Sequence, residues 1–378
     1  MKFTTKSGDL LDALNTVKGA VPSKSTLPIL ECILFEQKGD DLVLSATDLE
    51  ISIVRKLPVQ FETNGTPEGA RVAVPSKRLT DTLRALPDDL PIEFSTDSDF
   101  EIRMETDQGH YKMVGHDGED YPELPELDGE HEITTEGNLL KRSIDKTAFA
   151  VSKDALRPAM MGVYFQLSPD TSNVVATDGH RLVKLTLPEL STAQDLDFIV
   201  PEKATKLAGR VVDADEMCTI TVDEGHVGFD FGNARVIARL IDETYPNYQA
   251  VIPDENDKRL TIGREDMLNA VKRVGLYSSS MTNQIRLDIE SDQVTISAED
   301  VERSSEAEEV VYCDFDSDDM EIGFNSEYLT EVLSNVSCEE VVFELSSPNR
   351  AGIVVPQEQE EDEEILMLIM PVMLNTYA

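Results

Sequence analysis

Hydrophobic residues recur along parts of the chain at the spacing of one face of an α-helix. Leu10, Leu14 and Val17 are separated by four and three residues, and the leucines within residues 79–86 repeat that spacing. Residues spaced in this way lie on one side of a helix with 3.6 residues per turn. Together with helix-start signals, the pattern predicts six amphipathic helices, at residues 7–18, 76–86, 136–150, 201–212, 264–275 and 325–337.

Between these helices the chain is divided into short apolar or alternating segments. Examples are residues 29–35, 41–44 and 219–222, in stretches that Gly, Asp and Asn punctuate. Alternation with a period of two is typical of strands that bury one face, and short strands joined by tight turns favour antiparallel pairing. The predicted fold class is therefore α+β, with antiparallel sheet predominating.

The same order of elements occurs three times. Segments 74–86, 200–208 and 324–333 each combine an apolar strand end, a helix start and an amphipathic helix, and they lie about 125 residues apart. A repeat of this length can bury a core of its own, whereas solenoid units span only about 20 to 50 residues. We therefore expect three tandem copies of one domain, each with two helices and an antiparallel sheet.

Acidic segments that contain proline mark the boundaries between these copies. Residues 120–125 and 243–248 occupy corresponding places in the first and second repeats, and each contains Tyr-Pro. Proline restricts its own backbone and that of the preceding residue, which suits an extended connector. The predicted domains are residues 1–126, 127–253 and 254–378.

Charge is distributed unevenly between the predicted helices and the rest of the chain. The net charge of −41, from 33 basic and 74 acidic residues, argues by itself against a nucleic-acid partner, because phosphate contacts need lysine and arginine. The six helices, however, hold 13 of the basic and only 10 of the acidic residues. An ordinary solvated helix face is the alternative explanation, and the sixth helix, with Glu327 and Glu331, has no basic residue.

Catalytic and metal-binding chemistry find little support in the sequence. No CxxC spacing occurs among the four cysteines, Cys32, Cys218, Cys313 and Cys338. We therefore expect no metal site and no cofactor, and free thiols in a reducing compartment. Residues 178–181 (Asp-Gly-His-Arg) are suggestive of a catalytic cluster, but no nucleophile motif accompanies them, so the sequence does not favour an enzyme.

The many acidic residues leave two other functions to consider, calcium binding and hydrolysis by carboxylates. Residues 314–318 resemble the start of an EF-hand loop, although Asp319 stands where that loop needs glycine. An acidic calcium-binding repeat protein would explain the acidity, and a hydrolase that uses carboxylates would explain neither the repeats nor the charge distribution. Both remain alternatives to a DNA-binding protein at this point.

Four motifs, taken in order along the chain, resemble the bacterial beta sliding clamps, the processivity rings of replicative DNA polymerases. They are T-L-P-I-L at 26–30, A-T-D-G-H-R-L at 176–182, Y-P-N-Y at 245–248 and I-M-P-V at 369–372. The resemblance implies that two chains close head to tail into a ring of six domains, with helices facing a central hole and sheets outside. It also implies a non-catalytic protein that encircles double-stranded DNA without reading its sequence.

The resemblance further implies that basic residues of the helices and of one loop contact DNA phosphates. Lys24 lies just before the first motif, where the family places a basic residue on a loop that reaches into the hole. The remaining candidates are assigned by their helix positions. The predicted DNA-binding residues are Lys24, Lys77, Arg78, Arg84, Lys141, Arg142, Lys203, Lys206, Arg210, Lys272 and Arg273.

A partner-binding pocket between the second and third domains is also implied. In the family it binds short linear motifs of the replicative DNA polymerase, the clamp loader and repair polymerases, and methionine-rich walls suit such varied ligands. The predicted lining is Met160, Thr177, Gly179, His180, Arg181, Leu182, Pro246, Val251, Met370, Pro371 and Val372. The chain departs from the family at its end, where Val372 and Met373 follow Pro371, the family's usual arginine is absent and the residues 375–378 are added.

The remaining sequence features concern solvent exposure, location and salt. The acidic run 358–364 is expected to be a solvated loop. Neither an apolar signal core near Met1 nor an apolar run of membrane length occurs, so we expect a cytoplasmic protein without a membrane partner. The large acidic surplus is typical of a halophile-like surface, because salt is needed to screen its self-repulsion.

Overall fold

The computed structural model describes residues 1–62 and 69–374, and the added C-terminal residues 375–378 lie outside this part of the chain. The described residues form six α-helices, each within a few residues of its predicted bounds. They are α1 (Ser7–Val17), α2 (Ser76–Arg84), α3 (Gly137–Thr147), α4 (Glu202–Val211), α5 (Arg264–Gly275) and α6 (Ser326–Ser334).

The strands are short and numerous, as the alternating segments predict. The first thirteen are β1 (Lys2–Lys6), β2 (Cys32–Lys38), β3 (Asp41–Thr47), β4 (Ile51–Pro58), β5 (Gln60–Phe61), β6 (Arg71–Pro75), β7 (Pro91–Thr96), β8 (Glu101–Glu105), β9 (His110–Val114), β10 (His116–Asp117), β11 (His131–Glu136), β12 (Gly162–Leu167) and β13 (Ser172–Thr177). The others are β14 (Arg181–Leu187), β15 (Leu196–Pro201), β16 (Met217–Val222), β17 (His226–Asp230), β18 (Ala234–Arg239), β19 (Lys258–Gly263), β20 (Gln284–Ile289), β21 (Gln293–Asp300), β22 (Ser305–Phe315), β23 (Met320–Asn325), β24 (Glu340–Leu345), β25 (Gly352–Pro356) and β26 (Glu364–Ile369).

The chain packs as two compact units. The first holds Met1–Lys141 and Lys206–Leu240, and the second holds Arg142–Thr205 and the chain from Ile241 onward. The middle sequence repeat thus contributes strands to both units, because its two halves pair with different neighbouring repeats. The pairing of β4 with β18 in the first unit corresponds to the pairing of β14 with β26 in the second.

The first unit contains two antiparallel sheets. A five-stranded sheet has the order β5-β1-β7-β8-β9, and a nine-stranded sheet has the order β10-β6-β2-β3-β4-β18-β17-β16-β11. Fully buried phenylalanines fill the core next to β1, where the rings of Phe3 and Phe94 stack with centroids 4.8 Å apart and Phe35 lies 5.4 Å from Phe94. Leu10, Leu14 and Val17 of α1 are fully buried, which confirms the predicted apolar face.

The second unit contains one antiparallel sheet of twelve strands, in the order β15-β12-β13-β14-β26-β25-β24-β19-β22-β21-β20-β23. Its helices carry the expected end signals. The Asn325 side chain accepts hydrogen bonds from the backbone N–H groups of Glu327 and Tyr328, at 2.9 and 3.2 Å, and so caps α6. In α5, acidic residues occupy the first turn and Lys272 and Arg273 the last, which complements the helix dipole.

Local chemistry explains where elements begin later or end earlier than the sequence predicts. Residues 29–35 were expected to be extended, but Pro28–Glu31 forms a 3-10 turn and β2 begins only at Cys32. Proline at the first position of the turn fixes a helical φ and lacks the N–H that a strand ladder would need. Likewise α3 ends at Thr147 and continues as the 3-10 turn Ala148–Ala150.

Candidate nucleic-acid interface and partner pocket

The predicted DNA-binding cations of the first unit differ in exposure. Lys24 is exposed on the loop between two 3-10 turns, and the side chains on α2 point to solvent apart from one loose ion pair, in which Arg84 lies 3.8 Å from Asp81. Lys141 is half-buried and donates a hydrogen bond of 3.1 Å to the Gly209 carbonyl oxygen. The predicted DNA-binding cations of this unit that are exposed are Lys24, Lys77, Arg78, Arg84, Lys206 and Arg210.

In the second unit, two of the predicted cations are occupied by carboxylates. Arg273 makes a bidentate pair with Glu309, with N–O distances of 2.8 and 2.6 Å, and Arg142 donates to Asp362 at 2.6 Å. The pairing lowers the pKa of both the Glu309 and the Asp362 carboxyl groups. DNA phosphates would have to compete with these carboxylates. Lys203 and Lys272 are exposed in the same unit.

The acidic run 358–364 is not the fully solvated loop that its sequence indicates. Glu363 is only 4% exposed and forms ion pairs with Lys146 and with Arg142, the latter at 3.5 Å. A carboxylate can be buried at this depth because two cations of α3 neutralise it. Asp362 is partly exposed and pairs with Arg142, whereas Glu358, Glu360, Glu361 and Glu364 are exposed as expected.

Strand pairing brings the two ends of the predicted partner pocket together. In the ladder between β14 and β26, Arg181 pairs with Ile369 and Leu182 with Leu368. Beyond the ladder, the Met370 N–H donates to the His180 carbonyl oxygen at 2.8 Å. The segment 177–182 therefore lies directly beside the C-terminal segment 370–372, although almost 190 residues separate them in the sequence.

A tight turn holds the first of these segments in shape. The Thr177 hydroxyl donates to the Arg181 carbonyl oxygen at 2.6 Å and accepts from the Gly179 N–H at 3.1 Å. The Asp178 carboxylate accepts from the N–H groups of His180 and Arg181, at 2.8 and 3.0 Å. Gly179 has a φ of +88°, and a Cβ at this position would lie 2.6 Å from a guanidinium nitrogen of Arg157. Glycine suits this position because it adopts a positive φ without strain and has no Cβ that would clash with Arg157.

The Arg181 side chain supports the turn from inside the protein. It is 6% exposed, its guanidinium pairs with Asp178 and Glu331, and it donates to the Phe149 carbonyl oxygen at 2.9 Å. The guanidinium also lies over the Tyr328 ring, 4.8 Å from the centroid, while His180 stacks on that ring at 5.7 Å. Arg181 is therefore a positioning residue that links the turn to α6.

Aromatic residues near the predicted lining form a buried cluster, called the aromatic floor below, whose tyrosines were not among the predicted pocket residues. Tyr245 stacks on Tyr164 with ring centroids 4.5 Å apart, and Tyr248 meets Tyr164 edge to face. The buried cluster also contains Leu182 and Leu368. Burial raises the pKa of Tyr164 to about 12 and raises that of Tyr245 as well, so both phenols stay neutral. The Y-P-N-Y motif around Pro246 contains two of these tyrosines and was the sequence signal from which they could have been assigned.

The rest of the predicted lining is partly exposed and apolar. Met160 is half-buried in the 3-10 turn Pro158–Met161, and the neighbouring Ala159 packs against the aromatic cluster. Val251 and Met370 are about half exposed, and Pro371 is intermediate. Val372 is tied down, because its N–H donates to the Gly323 carbonyl oxygen at 2.8 Å. These side chains belong to the same unit as the buried aromatic floor.

Titratable groups outside these sites do not form reactive clusters in the described residues. No group of three or more His, Cys, Asp or Glu residues there is placed to hold a metal ion. The four cysteines are free, and burial raises the pKa of Cys32 to about 11 and that of Cys218 to about 12, which makes them poor nucleophiles. Among the same residues, no helix has both the length and the apolar character to span a membrane.

An exposed apolar surface in the second unit was missed by the sequence analysis. Leu276 is 82% exposed directly after α5, and Tyr277 and Met281 follow it on the same segment. Strand β22 contacts α5, the helix that this segment follows. The N-terminal part of β22 pairs only with β21, because the ladder between β22 and β19 involves Cys313 to Phe315 alone. Gly275 indicates in the sequence that α5 ends there, but it does not indicate whether the side chain of Leu276 is buried or exposed.

Comparison with known proteins gives one consistent result. Three family models match the chain in order: the N-terminal domain of the DNA polymerase III beta subunit at residues 1–125, its central domain at 134–247 and its C-terminal domain at 249–373. The chain is 30% identical to a beta sliding clamp of Pseudomonas putida over 97% of this chain and 99% of the relative. It is 31% identical to one of Caulobacter vibrioides, over 98% and 99% respectively.

Solved structures resemble the whole chain as well. A DnaN sliding clamp from Pseudomonas aeruginosa bound to griselimycin superimposes with a TM-score of 0.92 at 28% identity, covering 99% of this chain and 100% of that one. A DnaN sliding clamp from Bartonella birtlesii, also bound to griselimycin, has the same TM-score, identity and coverage. The match extends over all three repeats in both sequence and fold. The chain therefore belongs to the DNA polymerase III beta subunit family, the family of the beta sliding clamps.

Proposed function

We propose that this chain is the sliding clamp of a replicative DNA polymerase, a non-catalytic ring of two chains that encircles duplex DNA and confers processivity. The observation that carries the proposal is the tandem match of three beta-subunit domains across residues 1–125, 134–247 and 249–373. Encirclement needs only contacts with the phosphate backbone, which leaves the ring free to slide. A cytoplasmic location is part of the proposal, because replication takes place there in bacteria.

We assign the DNA contacts first to the exposed predicted cations. Lys24, the α2 cations, Lys203, Lys206, Arg210 and Lys272 are exposed on a chain whose net charge is −41. The acidic remainder would repel DNA and restrict attraction to the surface that carries these cations. Lys141 and Arg142 belong to the predicted set in a secondary role because they are half-buried, and Arg273 does because a bidentate carboxylate pair already holds its guanidinium.

We assign partner binding to the pocket around Met370. Its turn, its aromatic floor and the C-terminal segment 370–372 are brought together by the β14–β26 ladder. Exposed methionine and valine beside buried tyrosines suit an apolar anchor of a short peptide. The proposed ligands are linear motifs of the replicative polymerase, the clamp loader and repair polymerases.

We assign the chain–chain contact to two open sheet edges. In the first unit, β9 is an edge strand and carries Lys112, and in the second the free part of β22 carries the exposed Glu306 and Glu308. Edge strands of opposite charge can pair across a head-to-tail interface and cover each other's unpaired N–H and C=O groups. The exposed Leu276 segment would then be buried at the same contact.

Primer extension tests the proposed function. The polymerase of the same organism is assayed on a long primed circular template with its clamp loader, with and without this protein. We expect much longer products per binding event when the protein is present, because a tethered polymerase rebinds the primer end before it diffuses away. Product lengths that do not change on addition of the protein would contradict the proposal.

A further inference from the structure

A turn in the first repeat has the same hydrogen bonds as the turn beside Met370 in the second. The Thr47 hydroxyl donates to the Ile51 carbonyl oxygen at 3.1 Å and accepts from the Leu49 N–H at 3.0 Å. The Asp48 carboxylate accepts from the N–H groups of Glu50 and Ile51, at 3.1 and 2.8 Å. These are the bonds that Thr177 and Asp178 make within residues 177–181.

The surroundings of the two turns correspond as well. The Arg239 N–H donates to the Glu50 carbonyl oxygen at 2.9 Å, as the Met370 N–H does to that of His180. Tyr121 lies buried beneath the first turn, accepts from the Thr47 N–H at 3.2 Å and packs with Leu34. Tyr245 occupies the equivalent place in the second unit, where it packs with Tyr164. The first unit thus contains a second copy of the framework that forms the proposed partner pocket.

One substitution distinguishes the copies. The position with positive φ is Gly179 in the second repeat but Leu49 in the first, where φ is +77°. A residue with a Cβ is unfavourable in this region, and such strain is usually retained at functional sites. Leu49 is 54% exposed, so packing within the chain does not offset the strain. The residue with the strained backbone therefore carries an apolar side chain that is exposed to solvent.

A second leucine extends this surface. Leu27 precedes the 3-10 turn Pro28–Glu31 and is 47% exposed, and it occupies the place that Arg157 has before the turn Pro158–Met161. Arg157 lies directly over Gly179 in the second repeat. The correspondence of the repeats predicts that Leu27 lies near Leu49, and we refer to these two residues as the leucine patch.

Carboxylates frame the leucine patch. Glu31 and Glu50 are exposed on the two turns that carry the leucines, and the nearest cation of Glu50, Arg239, is 3.8 Å away with both side chains largely exposed. An ion pair of this kind contributes little and leaves the carboxylates open to a ligand. A second copy of this strongly acidic chain would be repelled here, whereas a segment with lysine or arginine would be attracted.

We propose that the leucine patch is a second docking site of the clamp, for a short linear segment of a partner with an apolar anchor flanked by basic residues. The inference rests on the proposed function in that it assumes recruitment through linear segments. It differs from the proposed pocket in location and in ligand charge. A ring of two chains would then offer four docking places, and one partner could hold the pocket while another holds the patch.

The absence of tryptophan from the chain gives a direct assay. The peptide Lys-Lys-Leu-Trp-Lys-Lys is titrated with the intact protein while its own tryptophan fluorescence is recorded. We expect Leu49→Gly and Leu27→Ser each to weaken binding at the patch at least fivefold, whereas Met217→Ser, at an exposed methionine on β16 of the same unit, leaves it unchanged. A peptide with aspartate in place of lysine should bind at least fivefold more weakly than the lysine peptide.

Two further measurements keep the outcomes distinct. Leu49→Gly introduces the residue that the second repeat already carries at this φ, so the melting temperature should not fall. Met370→Ala should leave binding at the patch unchanged, which separates the patch from the proposed pocket. Titration curves for Leu49→Gly and Leu27→Ser that coincide with the wild-type curve would overturn the proposal, even if Met370→Ala weakens binding elsewhere.

Discussion

At the scale of residues, the proposed partner pocket contains a few apolar side chains that the fold leaves uncovered. Met370 is 41% exposed next to the aromatic floor, so Met370→Ala should remove one wall of the pocket. We expect it to weaken binding of a labelled polymerase-tail peptide by about 1 kcal/mol or more. Fluorescence anisotropy gives the affinity, and Met373→Ala is the matched control, since Met373 is exposed outside the predicted lining. Equal affinities for both variants would place the pocket elsewhere.

A second prediction at this scale concerns the pair between Arg142 and Asp362. Arg142 lowers the pKa of Asp362, so the stabilisation by this pair is present at neutral pH and is lost as the pH falls through the lowered value. Asp362→Asn should therefore melt at a lower temperature than wild type at pH 7, and the difference should shrink as the pH falls below the ordinary aspartate pKa and vanish once the lowered pKa has been passed. A difference that persists in acid would show that the side chain acts through something other than its charge.

At the scale of elements, the helices could be predicted from sequence because their 3.6-residue pattern is local and occurs in each repeat. The strand partners could not be predicted in this way. The ladder of β14 with β26, which begins with the pair Arg181 and Ile369, joins segments that are far apart in the sequence, so no local pattern indicates it. The same limit applies to Glu363, whose burial depends on cations more than 200 residues earlier in the chain. The pocket residues were therefore named through family motifs, and the aromatic floor was missed.

The open edges of β9 and β22 carry an element-scale prediction about assembly. Leu276→Asp should place a charge in the proposed chain–chain contact and shift the protein from dimer toward monomer, because an unpaired buried charge is costly. Light scattering distinguishes a 41.9 kDa monomer from a dimer. Met217→Asp, at an exposed site on β16, should remain dimeric. A Leu276→Asp protein that stays fully dimeric at low micromolar concentration would exclude this segment from the contact.

At the scale of the whole molecule, the net charge of −41 predicts a dependence of stability on salt. Charges of one sign repel within the folded chain, and salt at 1 M shortens the screening length to about 3 Å. The melting temperature should therefore be higher in 2 M than in 0.1 M potassium chloride. A melting temperature that stays constant or falls would show that ion pairs such as Arg273–Glu309 outweigh the repulsion.

Encirclement is the central claim at this scale, and retention on DNA of different topology tests it most directly. The clamp is loaded by its clamp loader onto nicked circular DNA, and the amount that stays bound during gel filtration at high salt is measured before and after the circle is cut once. Because salt weakens phosphate contacts, retention of a closed ring depends on topology. We predict stable retention on the circle and rapid loss after linearisation. Equal retention on circular and linear DNA would contradict encirclement.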